Sequence, residues 1–294
     1  MSMVGKNCLI TGATAGIGKA TAKQLANTGA TLGLICRNEE KAEQVVAEIS
    51  KETGNVDINI HIADLACLAS VQRVADEIID SYESINILIN NAGFYQAKRI
   101  ETEDGLEACF GVNHLAHFYL THLLLPTINN TPHARIINVA SAAYMAAKLD
   151  LADLNWQHNK YRAMQAYGNS KLANILFTLE LSKRLSATRT TVNCLHPGII
   201  ASNFADNFTL ATKLFGIVAL PWLRTSDYGA QTSVYLASSK DVAGITGKYF
   251  VKKKVKALSE KGRRPEEVQG LWEQSEKILA ELGFPLEHYV QAVA

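Results

Sequence analysis

Short apolar segments alternate with longer segments of helical periodicity along this chain, and the alternation constrains its fold more than any other feature. Six short segments predict strands, namely NCLI, TLGLIC, VDINIHI, INILIN, ARIINVAS and TTVNCLH. They are apolar nearly throughout, which is typical of parallel strands covered on both faces. Between them, apolar residues recur every three or four positions, which predicts helices. The chain is therefore predicted to have an α/β fold, a doubly wound parallel sheet flanked by helices.

No feature of the sequence divides the chain into parts. Its 294 residues would suffice for one large domain or two small ones. No Pro-, Gly- or Ser-rich linker, internal repeat or low-complexity tract is present. We therefore expect a single domain over residues 1–294. Basic and acidic residues nearly balance, 29 against 28, so no net field attracts nucleic acid.

Cysteines and apolar runs bear on the cellular location. The five cysteines are scattered and form no C-x-x-C pair, which indicates reduced thiols rather than a disulfide framework. The N-terminal segment MSMVGKNCLITG has no signal-peptide pattern. The longest apolar run, LFGIVALPWL, is shorter than the ~20 residues of a membrane span. We expect a cytoplasmic protein.

A glycine-rich loop joins the first predicted strand to the first predicted helix. Glycines let the backbone turn tightly against a pyrophosphate, and the helix N-terminus offers free N–H groups and the positive end of its dipole. The spacing is G-x-x-x-G-x-G, and a glycine-rich turn without a ligand is the alternative. Because the loop lies in the first β-α unit, we favour a dinucleotide site. Its predicted residues are Gly12, Thr14, Ala15, Gly16, Ile17 and Gly18.

The segment ICRNEEK, after the second strand, bears on the choice of coenzyme. An acid at this position binds the ribose 2′-hydroxyl of NAD, whereas an arginine suits the 2′-phosphate of NADP. Arg37 is the candidate, with Asn38 beside it and Lys41 one helical turn further on. Both charges could instead be solvated at a helix start, and Glu39 would favour NAD. We expect NADP(H), with NAD(H) as the alternative.

The third strand ends at the segment ADL, which contains Asp64 and Leu65. The Asp64 carboxylate could accept a hydrogen bond from the adenine amino group of the coenzyme. A role as a helix N-cap is equally consistent with the sequence.

Six motifs then follow in a fixed order over roughly residues 7–202: TGATAGIG, NNAG, Asn113 in GVNHLAHF, Ser141 in NVAS, Y-x-x-x-K with Tyr167 and Lys171, and HPG. In these motifs the chain resembles the short-chain dehydrogenase/reductase family. The resemblance implies a Rossmann-type domain with a parallel sheet of about seven strands. It also implies further coenzyme contacts, at Asn91, Ala92, Gly93, Tyr167, Lys171, Pro197, Gly198, Ile199 and Ser202.

Within the family the chain most resembles the retinol dehydrogenase-like branch. The segments LICRNEEK, YGNSKLANILFTLEL and LWEQSEKIL suggest this, as does the long gap of twenty-six positions from Ser141 to Tyr167. Protochlorophyllide reductases resemble the same branch. The inserted segment LDLADLNWQHNKY is expected to form a loop over the site. The resemblance also implies a substrate lid at about 199–225 and a helical C-terminal extension at about 255–294.

The four catalytic candidates suit hydride transfer to a carbonyl. A phenol is too weak an acid at neutral pH unless a nearby cation stabilises its anion, and Lys171 lies one helical turn from Tyr167. Tyr167 would thus be the general acid in reduction and the base in oxidation. Ser141 would hydrogen-bond the substrate oxygen. By resemblance, Asn113 would help to hold a water that relays protons to Lys171.

Other residues are ambiguous in the sequence. His114, His117 and His122 lack the pattern of a metal site, so we predict no metal and a structural role for all three. Several aromatic and sulfur-containing residues could either line an apolar substrate pocket or pack in the core: Phe94, Tyr95, Tyr144, Met145 and Trp156. The run VKKKVK forms a basic patch, for which a solvated face is the default and contact with an anionic membrane surface the alternative.

The preferred hypothesis is an NADP(H)-dependent oxidoreductase that interconverts a carbonyl and an alcohol, with a small apolar aldehyde, ketone or retinoid-like substrate. A non-catalytic nucleotide-binding scaffold is the first alternative, although the intact catalytic set argues against it. A methyltransferase that uses S-adenosylmethionine is the second, but it leaves Y-x-x-x-K and Arg37 unexplained. The resemblance also allows a homodimer paired through the helices that carry Asn113 and Tyr167, with a monomer as the alternative for the longer branch.

Overall fold

The computed structural model describes residues 2–199 and 224–286, and the alternation of strands and helices is present throughout them. The strands are β1 (Asn7–Thr11), β2 (Thr31–Cys36), β3 (Ile58–Ile62), β4 (Ile87–Asn90), β5 (Arg135–Val139), β6 (Thr191–His196), β7 (Lys248–Val251) and β8 (Lys254–Val255). The helices are α1 (Gly16–Ala26), α2 (Glu39–Thr53), α3 (Leu68–Ser81), α4 (Ala108–Phe110), α5 (Ala116–Asn129), α6 (Ala163–Arg184), α7 (Ser226–Ser238) and α8 (Pro265–Glu281). All six strands predicted from the sequence are confirmed.

The strands form one sheet in the order β3-β2-β1-β4-β5-β6-β7-β8. The first seven in this order run parallel, as expected for strands joined by helical crossovers. One apolar cluster lies on each face of the sheet and explains why the strands carry apolar residues on both sides. The strand order reverses between β1 and β4. Ligands of such sheets bind at this reversal, beyond the carboxyl ends of the strands.

The sheet has eight strands rather than the expected seven. The additional strand, β8, pairs antiparallel with β7, with Phe250 opposite Val255 and Val251 opposite Lys254. Lys252 and Lys253 form the two-residue turn between them and both have positive φ, 51° and 64°. Positive φ at both central positions is the geometry of a type I′ hairpin, which fits the twist of the strands. The basic patch is therefore a hairpin, and its lysine side chains are exposed.

Two local signals explain where the helices begin and end. Asn38 caps α2 by accepting a hydrogen bond from the Lys41 amide, and Gly54 ends that helix in the left-handed region with φ 73°. Pro265 begins α8, and Glu266 and Glu267 follow in its first turn, where negative charge suits the helix dipole.

The C-terminal helix α8 covers the helices beside the site. It packs against α6, and its Trp272 side chain is only 1% exposed. The Trp272 ring lies 5.0 Å from that of Phe118 and 4.8 Å from that of His122, both in α5. This helix, Pro265–Glu281, lies within the region of about 255–294 where a helical extension is expected. No helix in the described ranges has the length and apolarity needed to cross a membrane.

Candidate active site

The glycine loop brings the N-terminus of α1 against the ends of β1 and β4. Gly12 and Gly16 have positive φ, 67° and 53°. A Cβ at Gly18 would lie 2.2 Å from the Gly12 carbonyl oxygen and 2.5 Å from Asn91 Nδ2, so only glycine allows this approach. The N-cap position, Ala15, provides no side-chain hydrogen bond to the first turn. The N–H groups of the helix start are therefore free to bind an anion, which fits a dinucleotide pyrophosphate.

The NNAG segment is fastened to the end of β1. The Thr11 hydroxyl accepts hydrogen bonds from the amides of Asn91 (2.9 Å) and Ala92 (3.0 Å). In return, Asn91 Nδ2 donates to the Thr11 carbonyl at 2.9 Å. A Cβ at Gly12 would lie only 2.9 Å from the Ala92 Cα. The predicted coenzyme residues of the loop and of NNAG thus form one continuous surface at the reversal of strand order.

Ser141 and Tyr167 meet although they are distant in sequence. Ser141 lies at the end of β5 and its hydroxyl is hydrogen-bonded to that of Tyr167. Gly168 makes this contact possible, because a Cβ there would lie 2.8 Å from the Ala143 carbonyl oxygen and 3.1 Å from the Ala147 amide. The 3-10 turn that follows Ser141 therefore rests directly on α6. Tyr167 itself is half-buried.

Lys171 lies one helical turn beyond Tyr167 and is only 3% exposed. Its ammonium donates a hydrogen bond to the Val139 carbonyl at 3.0 Å and lies 5.8 Å from the centroid of the Tyr167 ring. Burial lowers the pKa of Lys171 to about 8. The pKa of Tyr167 is raised by burial, with the Ser141 hydrogen bond acting in the opposite direction. In the protein alone, therefore, burial outweighs the acidification of Tyr167 that we expected from its neighbouring cation.

Asn113 lies at the centre of a π-helical turn, Gly111–Leu115, between α4 and α5. Its Oδ1 accepts from the Phe94 amide at 2.9 Å. Its Nδ2 donates to the Phe94 carbonyl at 2.9 Å and to the Ser170 hydroxyl at 3.0 Å. The side-chain amide thus ties the segment after NNAG to α6. Asn113 also borders Gly93, where a Cβ would lie 3.3 Å from Asn113 Oδ1 and 3.0 Å from Lys171 Nζ.

The residues expected to recognise the adenosine end lie at the carboxyl ends of β2 and β3. The Arg37 side chain is 77% exposed, and its Nη1 lies 3.8 Å from Asp64 Oδ2. Asp64 Oδ1 accepts from the Ala66 amide at 2.9 Å, whereas α3 begins only at Leu68, so Asp64 does not cap that helix. Leu65 is buried and Lys41 is exposed. Asn38 has a structural role as the cap of α2.

The HPG motif follows β6 on the other side of Ser141. His196 Nδ1 accepts from the Ala142 amide at 3.2 Å, and burial lowers the pKa of this imidazole to about 4. Pro197 is half-buried, Gly198 has φ 102°, and Ile199 is 53% exposed. The remaining residue of this group, Ser202, lies outside the described residues, as does most of the expected lid at 199–225.

The insertion between Ser141 and Tyr167 rests on the segment that leads from NNAG to α4. The backbone carbonyl of Asn155 accepts hydrogen bonds from the Arg99 guanidinium at 3.1 Å. The Asn155 side-chain oxygen accepts a hydrogen bond from the Glu107 amide. Tyr161 donates to the buried Glu107 carboxylate at 3.2 Å. A cavity of about 780 Å³ lies against the insertion, but none of Ser141, Tyr167 and Lys171 lines it. This cavity is therefore separate from the catalytic cluster, and the expectation that the insertion forms a loop over the site stays a prediction.

The three histidines of the helix around Asn113 lie in the interior. All are buried, and burial lowers the pKa of His114 to about 3 and those of His117 and His122 to about 4. No group of His, Cys, Asp or Glu in residues 2–199 and 224–286 could hold a metal ion. Among the residues that could line a pocket or pack in the core, Tyr144 is buried and its ring packs on that of Tyr249.

The other four of these residues, Tyr95, Phe94, Trp156 and Met145, lie beside Tyr167 or nearer to the surface. Tyr95 is buried, and its ring packs edge-on against that of Tyr167 at 6.1 Å. Phe94 and Trp156 are half-buried, and Met145 is 61% exposed.

Sequence reasoning missed several residues that hold the site together. Thr11, Gly168, Ser170 and the Val139 carbonyl all contact predicted site residues. All four lie within motifs quoted above, Thr11 in TGATAGIG, Val139 in NVAS, and Gly168 and Ser170 in Y-x-x-x-K, but the motifs do not predict the contacts that these residues make. The contacts themselves join residues far apart in the chain and need the folded structure.

Comparison with known proteins agrees with this arrangement. The family model described as short chain dehydrogenase matches residues 6–212, and the chain belongs to this family. Human retinol dehydrogenase 13 is 42% identical over 280 residues, which cover 94% of this chain and 85% of the relative. Human retinol dehydrogenase 14 is 39% identical over 293 residues, which cover 94% and 87%. Within the family, the chain is a member of the retinol dehydrogenase-like branch.

Solved structures share the same architecture. An uncharacterized protein from Mycobacterium Paratuberculosis is similar with a TM-score of 0.78 and 30% identity, over 97% of this chain and 96% of that one. A short chain dehydrogenase from Burkholderia cenocepacia J2315 in complex with NADP is similar with a TM-score of 0.69 and 26% identity, over 85% and 97%. The protein is thus an oxidoreductase that acts on CH–OH and carbonyl groups with NAD(P).

Proposed function

We propose that the protein is an NADP(H)-dependent reductase of apolar aldehydes or ketones, including retinoid-like compounds, and that Tyr167 is its general acid. The observation that carries the proposal is the hydrogen-bonded pair of Ser141 and Tyr167 with the Lys171 ammonium one helical turn away. These three side chains come from β5 and α6 and converge beside the glycine loop. The alternative of a non-catalytic scaffold gives no reason to bury a lysine at this point.

Each residue of the cluster has a distinct task. The coenzyme, when bound, supplies the hydride. Tyr167, protonated because burial raises its pKa, gives its hydroxyl proton to the substrate oxygen as negative charge develops there. Ser141 donates a second hydrogen bond to the same oxygen. Lys171 stabilises the phenolate that remains, and in the oxidation of an alcohol Tyr167 takes the proton back.

The preference for NADP(H) rests on Arg37. It follows β2 directly, at the position where a ribose 2′-hydroxyl or 2′-phosphate is recognised, and no carboxylate takes that place. Its highly exposed side chain can turn toward a phosphate, which guanidinium binds in a bidentate way. The similarity to a dehydrogenase solved with NADP supports the same coenzyme.

The preference for an apolar substrate rests on the residues around the cluster. Tyr95 packs on Tyr167, and Phe94 is half-buried beside it. Met145 and Ile199, which follow Ser141 and Gly198 closely in the chain, are large apolar residues that remain exposed. The relatives named retinol dehydrogenases support a retinoid-like compound as the model substrate.

A reductase assay tests the reaction and the role of Tyr167. Wild type should consume NADPH in the presence of retinal or another apolar aldehyde. Tyr167→Phe should lose about 10²- to 10⁴-fold in turnover, because it lacks the proton donor. Tyr235→Phe, in α7 and distant from Ser141, is the matched control and should retain full turnover. Equal turnover by wild type and Tyr167→Phe would exclude the mechanism.

A titration with both coenzymes tests the role of Arg37. Arg37→Ala should bind NADPH at least ~10-fold more weakly and NADH as well as wild type does, because only NADPH carries the 2′-phosphate. Arg189→Ala, an exposed arginine before β6, is the control. An unchanged preference for NADPH would remove Arg37 from the coenzyme site.

A reducing compartment such as the cytoplasm is part of the proposal. All five cysteines are free thiols and four of them are buried. Such cysteines are typical of proteins that stay in a reducing environment. Localisation of a tagged chain by microscopy and fractionation tests this.

A further inference from the structure

A buried histidine joins the coenzyme surface to the π-helical turn that carries Asn113. His117, 1% exposed, lies between two polar groups of different segments. Its Nε2 is 2.9 Å from the Thr11 hydroxyl oxygen, and its Nδ1 is 3.1 Å from the Asn113 carbonyl oxygen. Thr11 ends β1 and holds NNAG, whereas Asn113 is at the centre of the π-helical turn. The proposed reaction assigns no task to this imidazole.

The partners of His117 fix which ring nitrogen carries the proton. A carbonyl oxygen can only accept, so Nδ1 must be the donor toward Asn113. The ring is neutral at physiological pH, because burial and the nearby Lys171 charge lower its pKa. Nε2 therefore has a free lone pair and accepts the hydroxyl proton of Thr11.

The direction of that hydrogen bond decides what the Thr11 oxygen can do. A hydroxyl has one proton to give and two lone pairs. With its proton directed to His117, both lone pairs remain for the amides of Asn91 and Ala92, at 2.9 and 3.0 Å. The competing acceptor, the Ile89 carbonyl, is further away at 3.5 Å. Every donor and acceptor of this cluster is then matched.

We propose that His117 is a positioning residue, which orients the Thr11 hydroxyl so that it holds the Asn91 and Ala92 amides in the shape that binds the coenzyme. The link to binding rests on the proposed function. The action runs through Thr11, since His117 contacts that hydroxyl while Asn91 and Ala92 form the coenzyme surface. A merely space-filling histidine would need no particular partner on Nε2.

Two amide variants separate the two hydrogen bonds of the ring. In His117→Asn the side-chain nitrogen replaces Nδ1, so the bond to Asn113 is kept and the bond to Thr11 is lost. In His117→Gln the longer side chain places its amide where Nε2 was, so the contact with Thr11 is kept. Thr11→Val removes the hydroxyl and so gives the effect of losing both of its hydrogen bonds to the Asn91 and Ala92 amides. Amide hydrogen exchange at Asn91 and Ala92 is measured in the coenzyme-free protein, and NADPH affinity by fluorescence titration.

His117→Asn and Thr11→Val should speed the exchange of both amides by about ten-fold and weaken NADPH binding by about five-fold, the effects of roughly one hydrogen bond. His117→Gln should remain near wild type in both measurements. The double variant Thr11→Val, His117→Asn should exchange no faster than Thr11→Val alone. Wild-type exchange in His117→Asn, equal effects of the Asn and Gln variants, or additive effects in the double variant would overturn the proposal. If the exchange pattern holds but wild type neither binds NADPH nor reduces any carbonyl, the positioning by His117 stands and the proposed function fails.

Discussion

The Lys171 ammonium donates a hydrogen bond to the Val139 carbonyl across 3.0 Å, two residues before Ser141. This contact holds the buried cation at the carboxyl end of β5, beside the residue that would bind the substrate oxygen. A buried ammonium with one neutral partner is poorly stabilised, which is why the pKa of Lys171 is lowered to about 8.

The reductase activity should therefore decline on the alkaline side. Lys171 is charged below its pKa and neutral above it. The ratio kcat/KM for the coenzyme reports the protonation of the free enzyme, so it should fall about ten-fold per pH unit above pH ~8. The measurement is initial rate against pH at low NADPH, with circular dichroism to show that the fold persists. A profile that stays flat to pH ~10 would contradict the role given to this charge.

Gly168 should be as important for turnover as a residue that touches substrate. A Cβ at this position would lie 2.8 Å from the Ala143 carbonyl oxygen, so Gly168→Ala must push α6 away from the turn after Ser141. We expect kcat to fall by about 10²-fold, because a displacement of ~1 Å separates Ser141 from Tyr167. Gly283→Ala is the control: its φ of 86° makes alanine strained there too, but nothing lies within 4 Å of a Cβ, so no neighbouring element is displaced and kcat should be kept. Full kcat in Gly168→Ala would show that the close approach is dispensable.

Buried neutral histidines should make the protein sensitive to acid. The pKa values of His114, His117 and His122 lie at about 3 to 4 in the folded state, below the ordinary value of 6.5. The unfolded chain thus binds more protons as pH falls below 6.5, and stability decreases by up to about 1.4 kcal/mol per histidine per pH unit. Urea unfolding between pH ~7 and ~5 measures the slope.

The matched pair for this test is His122→Phe and His158→Gln. His122 is buried and surrounded by aromatic rings, and the pKa of His196 is lowered to about 4 as well, so His122→Phe should reduce the slope by about a quarter. His158 is exposed, and His158→Gln should leave the slope unchanged. The prediction is wrong if both variants have the wild-type slope.

Trp272 should anchor the C-terminal helix. Its ring is enclosed by Phe118, Phe177 and His122, and the Arg184 guanidinium lies 4.1 Å above it. Trp272→Ala should lower the free energy of unfolding by about 3–5 kcal/mol, through lost contacts and a cavity. Ile79→Ala, at a side chain 39% exposed, should cost much less. Denaturant titration compares the two, and similar losses would show that α8 is only loosely attached.

Dimerisation through the helices that carry Asn113 and Tyr167 should not occur while α8 is in place. This helix packs on α6 and, through Trp272, on α5. We therefore expect sedimentation equilibrium to give the mass of one chain, 32.1 kDa. A stable dimer with α5 and α6 protected from hydrogen exchange at its interface would contradict this expectation.

The sequence predicts the parts of this protein that depend on local pattern. The six apolar strands and the glycine loop are predicted, because a strand buried on both faces needs consecutive apolar residues and a tight turn needs closely spaced glycines. β7 and β8 escape detection, since the three apolar residues of KYFV are flanked by lysines on both sides and β8 has only two residues. Their hairpin contains no Asn-Gly or other favoured turn sequence.

The site itself is predicted less completely. Motif order brings Ser141, Tyr167 and Lys171 together correctly, but not the contacts that fix them. The side chain of Asn113 bonds Phe94 and Ser170, contacts that its motif does not predict, and its expected role in holding a water stays a prediction. The tie between Asn155 and Glu107 joins positions 48 residues apart, and no periodicity reports such a contact.

The uncapped start of α1 bears on how fast the protein is degraded in a cell. With Ala15 at the N-cap, the helix lacks the side-chain partner that usually completes its first turn. A coenzyme phosphate bound at this helix start would satisfy its N–H groups, and any ligand that binds only the folded form shifts the folding equilibrium toward that form. Turnover of the polypeptide by proteases should accordingly slow when nucleotide is plentiful and quicken when it is scarce.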